Sequence, residues 1–214
     1  LIEEQLWAKL VQPHLATDPT IKLPKKAQQG LASALQSWTA GCITSRLETI
    51  IGGQLKKGWE IHHKGKDFLG AVRRQEVDVW LSNPDAGLAL AVDPKHFQSS
   101  DSLNKNWKNG HNDLVAFATN LHERFPLCSV GGIIAFPDWT ASKNVLKQMT
   151  SICSRSIPRE RALNAYGKFE GFALAIYNKA GKLIWPLASD SPLRPSFAFQ
   201  ALAGALVSRT IGVI

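Results

Sequence analysis

Residues 73–98, RRQEVDVWLSNPDAGLALAVDPKHFQ, decide how this chain is read. From Glu76 the residues alternate, with Glu76, Asp78 and Trp80 on one side and Val77, Val79 and Leu81 on the other. A period of two marks a half-buried strand. Turn formers follow at Asn83-Pro84-Asp85-Ala86-Gly87. Residues 88–95 predict a second strand, with Leu90 and Val92 on one face and Ala91, Asp93 and Lys95 on the other. The whole stretch predicts a hairpin whose acids and single lysine share a face.

Opposed residues of an antiparallel pair lie on the same face. Two registers are open. Asp78 faces Ala91, with Glu76 opposite Asp93, or Asp78 faces Asp93 directly. In either one, two or three carboxylates converge beside Lys95. Like charges opposed on a sheet repel, and a cation among them would relieve that. Magnesium takes oxygen ligands and is commonly held by one or two carboxylates plus substrate phosphates. The plain alternative is a solvated hairpin face, on which Asp-x-Lys arises by chance.

An acid followed on the next strand by Asp93-Pro94-Lys95 resembles the PD-(D/E)xK nuclease superfamily, whose largest group is the type II restriction endonucleases. The resemblance implies that Asp78 and Asp93 bind magnesium, that the carbonyl of Pro94 is a further ligand, and that Lys95 orients or activates the attacking water. It also implies a glutamate from the helix before the sheet. Glu48, within Arg46-Leu47-Glu48, stands in that element. It lies about 100° around the helix from Leu47, at the border of the apolar stripe. Its other reading is a boundary glutamate that solvates the helix. The implied cofactor is one or two Mg2+ ions, with Mn2+ able to substitute. The sequence departs from the family pattern twice. Val77-Asp78 stands where Pro-Asp is usual, and Pro94 cannot donate to a ladder, which marks an edge or a bulge.

The chain has 214 residues, enough to bury the core of one domain. Its 44% hydrophobic and 20% charged content excludes a disordered or fibrous chain. Its apolar runs are too short to span a membrane. The acidic start Ile2-Glu3-Glu4-Gln5 is unlike the basic start of a secretory signal. Leu1 stands where an initiator methionine would, which leaves room for upstream sequence. Cys42, Cys128 and Cys153 are far apart and have no paired metal spacing, so free thiols in a cytoplasmic protein are expected. The net charge of +8 suits a polyanionic partner such as nucleic acid.

Before the hairpin, residues 3–15 predict a short amphipathic helix with Leu6, Leu10 and Val11 inward, and residues 17–24 a loop. Residues 25–55 carry the strongest helical signal, with Leu31, Leu35, Trp38, Cys42, Ile43, Leu47, Ile50 and Ile51 in a shifting stripe. Gly41 marks a bend in this reading, and Gly52-Gly53 the end. Residues 58–63 (GWEIHH) predict a first strand and 64–70 a turn. His62 and His63 would point to opposite faces of that strand.

After the hairpin, residues 99–106 read as a loop, with Ser102 or Asn104 capping a helix over 107–124. Lys105, Lys108 and His111 at its start predict phosphate contact, against the alternative of a solvated helix entry. Residues 127–136 predict a buried strand and 142–153 a helix. Arg155, Arg159 and Arg161 predict a second basic patch. Residues 171–185 predict a hairpin around Asn178-Lys179-Ala180-Gly181, and 196–207 a closing helix.

The order of elements over residues 25–137 is that of the αβββαβ restriction-endonuclease-like core. The expectation is an α/β fold with a mixed central sheet flanked by helices, in a single domain whose residues 138–214 are C-terminal elaborations. The expected function is a magnesium-dependent DNA endonuclease, most like a type II restriction enzyme. DNA is the expected partner, a homodimer or a partner subunit would suit the cutting, and no membrane is involved. Two alternatives stand beside it. One is a catalytically inactive nuclease-fold module that binds nucleic acid or assembles with a partner. The other is a basic α/β domain unrelated to nucleic acid.

Overall fold

The computed structural model describes residues 1–15, 23–84, 86–160 and 165–210. The expected loop at 17–24 therefore lies largely outside the described residues, as do Asp85 and Arg161. The chain begins with α1 (Ile2–Leu10), a 3-10 turn (Gln12–His14) and α2 (Lys25–Ile51). The strands β1 (Lys66–Leu69), β2 (Arg74–Val77), β3 (Val79–Asn83) and β4 (Gly87–His96) follow. Then come α3 (Ser100–Arg124), β5 (Ser129–Pro137), a 3-10 turn (Asp138–Thr140), α4 (Lys143–Arg155), β6 (Gly171–Tyr177) and α5 (Pro195–Arg209).

The architecture is α/β, with a mixed, open sheet of four strands in the order β3–β4–β5–β6. β3 and β4 are antiparallel, while β4, β5 and β6 are parallel. One face of the sheet packs Leu90, Val92, Ile133, Ala135, Ala173 and Ala175 against α1, α2 and α5. The other packs Ala91, Val130, Ile134, Phe136, Phe172 and Leu174 against α3 and α4. β5 and β6 are buried at every residue, as parallel strands covered on both faces must be. No helix is long and apolar enough, among the described residues, to cross a membrane.

Local chemistry explains several element ends. Ser99 caps α3, its side chain accepting from the Ser102 amide at 3.2 Å, and Ser142 caps α4 in the same way. α2 stops at Gly52, whose φ of +69° is left-handed and favours glycine.

Several expectations are corrected. Gly41 does not bend α2, which runs unbroken; a Cβ there would lie 3.2 Å from Leu6 Cδ1, so the glycine admits α1. Residues 58–63 form no strand beyond one isolated bridge, His62 to Trp80. Residues 66–69, within the expected turn, are instead β1, paired antiparallel to β2 with Asp67 opposite Glu76. Residues 100–106 are the first two turns of α3 rather than a loop. Arg159 is no patch residue: it is 3% exposed and paired with Glu170 at 3.1 Å. The second arm of the 171–185 hairpin shrinks to a single bridge, Tyr177 to Leu183. β6 pairs instead with β5, in parallel, so this part of the supposed elaboration is a strand of the central sheet.

Candidate functional site

Asp93 and Lys95 lie near the C-terminal end of β4, two residues apart and hence on the same face as Ala91. Ligand sites of open α/β sheets favour the carboxyl ends of parallel strands. Lys95 Nζ sits 2.7 Å from Asp93 Oδ2. The other oxygen, Asp93 Oδ1, is buried with no hydrogen-bond partner. A buried carboxylate oxygen without a donor is costly and calls for an explanation. Burial raises the Asp93 pKa, the Lys95 charge opposes the rise, and the negative charge of Asp113 on α3 adds to it.

Asp78 is a one-residue break between β2 and β3. On one side of it Val77 joins the core under α3; on the other Val79 and Leu81 join the core under α2. Strict alternation would keep all three valine and leucine side chains on one face. The expected continuous strand from Glu76 to Leu81 therefore turns over at Asp78. The β3–β4 register pairs Val79 with Val92 and Trp80 with Ala91. Of the two registers, this is the one that aims Asp78 at Asp93, although ladder pairing stops at Val79.

Burial first, and then the charge of Asp93, push the Asp78 pKa up to about 6. Glu76 adds to the rise, while a hydrogen bond from the Gln36 side chain and the charge of Lys95 pull against it. Asp78 thus meets Gln36 of α2 on one side and Asp93 and Lys95 of β4 on the other. The break lets one carboxylate reach both.

Pro94 is accommodated by the end of β3. The Phe97 amide donates to Ala135 O on β5 at 2.9 Å. Backbone groups alternate sides along a strand, so the nitrogen and carbonyl of Pro94 face the β3 side. β3 no longer pairs there. β4 is locally an edge at this point, the missing N–H costs no ladder bond, and the Pro94 carbonyl faces the Asp78 break.

The remaining expected site residues lie elsewhere. Glu48 is twelve residues beyond Gln36 on α2, about 18 Å further along the helix axis, in the last turn before Gly52. It is not brought to Asp78. His111 is 7% exposed, its Nε2 is 2.9 Å from Ser156 Oγ, and its ring lies 5.7 Å from that of Phe172. Burial lowers its pKa. It packs α3 rather than meeting an anion. Lys105 and Lys108 are exposed. Lys105 lies 3.9 Å from Asp101, and Lys108 is over the Trp107 ring. By helical geometry Lys108 is about 140° around α3 from Asp113 and points away from the acids.

Gln36 and Asp113 are the neighbours that the sequence reading passed over. Gln36 is a half-buried polar residue beside the buried Leu35 of α2, and a polar residue at the edge of an apolar stripe was its only signal. Asp113 had none beyond its charge.

The donor set fits a hard divalent cation. Its groups are all oxygen, one carboxylate oxygen is buried without a partner, and the charge of Asp93 raises the cost of ionising Asp78. Among the described residues no three His, Cys, Asp or Glu side chains gather into a cage. The fit is therefore to an ion that keeps ligand positions for water and substrate. Set against protein-family models, curated proteins and solved structures, the chain has no significant match.

Proposed function

We propose that this protein hydrolyses DNA phosphodiester bonds with a divalent cation, as a nuclease of the PD-(D/E)xK type. The observation that carries the reading is the Asp93 carboxylate, with one oxygen on Lys95 and the other buried without a partner beside Asp78. The order of elements supports it. With β2 and β3 taken as one kinked strand, α2 to β5 reads αβββαβ.

Asp78, Asp93 and the Pro94 carbonyl would hold magnesium, with Gln36 steadying Asp78. Bound there, magnesium supplies positive charge to the phosphate and lowers the pKa of water. Lys95 is the more accessible partner of the pair, with 39% of its side chain exposed against 12% for Asp93. Its ammonium can donate to Asp93 and, at the same time, to a phosphate oxygen or the attacking water. It thereby orients the nucleophile and offsets charge that grows in the transition state. Asp93, almost enclosed, fixes the position of that ammonium. Affinity for the polyanion would come from lysines and arginines and would fall steeply with salt.

Cleavage of supercoiled plasmid with magnesium, manganese, calcium or chelator tests this. Magnesium-dependent cutting should be lost in Asp93→Ala and in Lys95→Ala while duplex binding persists. Intact plasmid with every metal, from protein shown to be folded, would overturn it. The second reading, a nuclease-shaped module that binds without cutting, draws on the lack of a third gathered acid among the described residues. It predicts salt-sensitive binding and no cleavage.

A further inference from the structure

The net charge is not spread evenly. Between Lys56 and Gln75 stand Lys56, Lys57, Lys64, Lys66, Arg73 and Arg74 against only Glu60 and Asp67. These twenty residues carry half of the chain's net charge of +8. All six basic side chains are exposed. The acid offset is small: Asp67 lies 3.6 Å from Arg74, and Glu60 accepts from the Gly58 amide.

This segment borders the acidic site. His62 pairs with Trp80 through reciprocal backbone hydrogen bonds of 2.8 and 2.9 Å, on the edge of β3 away from β4. Trp80 Nε1 donates to Lys64 O at 2.9 Å, and Lys66 Nζ lies 4.4 Å from the Trp80 ring centre. β2 then runs directly into Asp78. The β1–β2 turn is fixed as well. Asn120 of α3, 5% exposed, accepts from the amides of Val72 at 2.9 Å and Arg73 at 3.3 Å, and donates to Arg73 O at 3.0 Å. Its backbone carbonyl accepts from Ala71 at 2.9 Å. Gly70 leaves room for this, since a Cβ there would run into the Asn120 amide.

A buried amide spends all these bonds on a turn whose own side chains face solvent, Val72 being 84% exposed. Such a turn is held in shape before anything binds it, which removes part of the ordering cost of binding. Asn120 is seven residues past Asp113, about 10 Å along α3. Arg73 is five residues before Asp78, at most about 17 Å of extended chain. Both spans are within about half a turn of duplex DNA.

We infer that the basic segment 56–75, with its tip pinned by Asn120, is the surface that grips duplex DNA and lays it across Asp78 and Asp93. Arg73, Arg74, Lys64 and Lys66 meet the phosphates. This assignment rests on the reading of DNA as substrate, and it locates binding away from the start of α3.

The test is binding of a short duplex DNA in calcium over a range of salt, with plasmid cutting in magnesium measured separately. Arg73→Ala/Arg74→Ala and Lys64→Ala/Lys66→Ala should each weaken binding by about tenfold or more. Each should also lower the salt slope by about two. Lys143→Ala/Lys147→Ala removes the same charge from α4 and should change neither. Asn120→Ala, checked for folding by circular dichroism, should weaken binding while leaving the salt slope nearly unchanged. Equal weakening by the hairpin and α4 pairs would overturn the assignment, because net charge alone would then explain it. Wild-type cutting with hairpin variants that bind normally would overturn it and leave the catalytic reading intact. Binding lost in the hairpin variants, from a wild type that never cuts, would uphold it and sink catalysis instead.

Discussion

Asp78 shows what a single residue does here. Its pKa of about 6 in the folded protein is above its ordinary value of 3.8, from burial and from Asp93. The folded state therefore holds the proton more tightly than the unfolded chain, and stability falls as pH rises from about 4 to about 6. Asp78→Asn removes that cost. In chelator at pH 7.5 it should be more stable than wild type by about 1 kcal/mol, after discounting for the solvent-exposed part of the side chain. The gain should shrink as pH falls and vanish at about pH 3.5, where Asp78 is protonated in the folded and unfolded states alike. Thermal melts at the two pH values check this, and an equal gain at both would show that charge is not its cause. In wild type, added magnesium should raise the melting temperature by linkage, and in Asp93→Ala it should not. This residue-level tension was partly legible, because Asp78, Asp93 and Lys95 lie within one local hairpin. Gln36 was not, since it reaches Asp78 from another element.

At the scale of elements, β6 and α5 approach more closely than side chains would allow. A Cβ on Gly171 would collide with the Ala198 backbone carbonyl and crowd Leu202. Backbone cannot yield as a flexible side chain does, so Gly171→Ala should cost about 1–3 kcal/mol, read as a lower denaturation midpoint. The same pairing explains why the 171–185 reading as a hairpin failed. The turn at Asn178 forms, with Asn178 N on Lys182 O at 2.9 Å. But Gly171–Tyr177 is apolar throughout and is claimed by β5 on its other side. The alternation in 76–81 misled for a similar reason, because α3 and α2 bury opposite faces of the chain on either side of Asp78. The missed first turns of α3 carry few apolar residues, and the Ser99 cap sets their start.

Across the whole molecule, the start of β6 is tied to its surroundings by Glu170, which is 4% exposed. Its carboxylate accepts from the Val130 amide at 2.7 Å and faces Arg159 at 3.1 Å, Arg209 at 2.9 Å and His122 at 3.3 Å. It thus joins α3, β5, the segment after α4 and α5. Burial pushes its pKa up, but the bond and charge of His122, the charge of Arg209 and the Val130 amide outweigh that and hold it below the usual value. The stabilisation is present above pH of about 4.5 and is lost as pH falls through the depressed folded value. Glu170→Ala would remove the buried carboxylate that Arg159, Arg209 and His122 face and should cost about 3–5 kcal/mol. Urea unfolding at neutral pH measures it, and a loss under about 1 kcal/mol would mean that the network contributes little.

By itself the sequence determined the elements with a strong local period. These are α2, α4 and β4, with β5 and α5 legible as apolar runs, together with the gathering of Asp78, Asp93 and Lys95 around one turn. Alternation and turn chemistry act over a few residues, so they can be read in the chain. The tertiary structure alone decided the break at Asp78, the place of Gln36 and Asp113 beside it, the distance of Glu48, the burial of His111 and Arg159, and the pairing of β6 with β5. Each of these depends on which faces of distant elements are buried together, and no local pattern carries that.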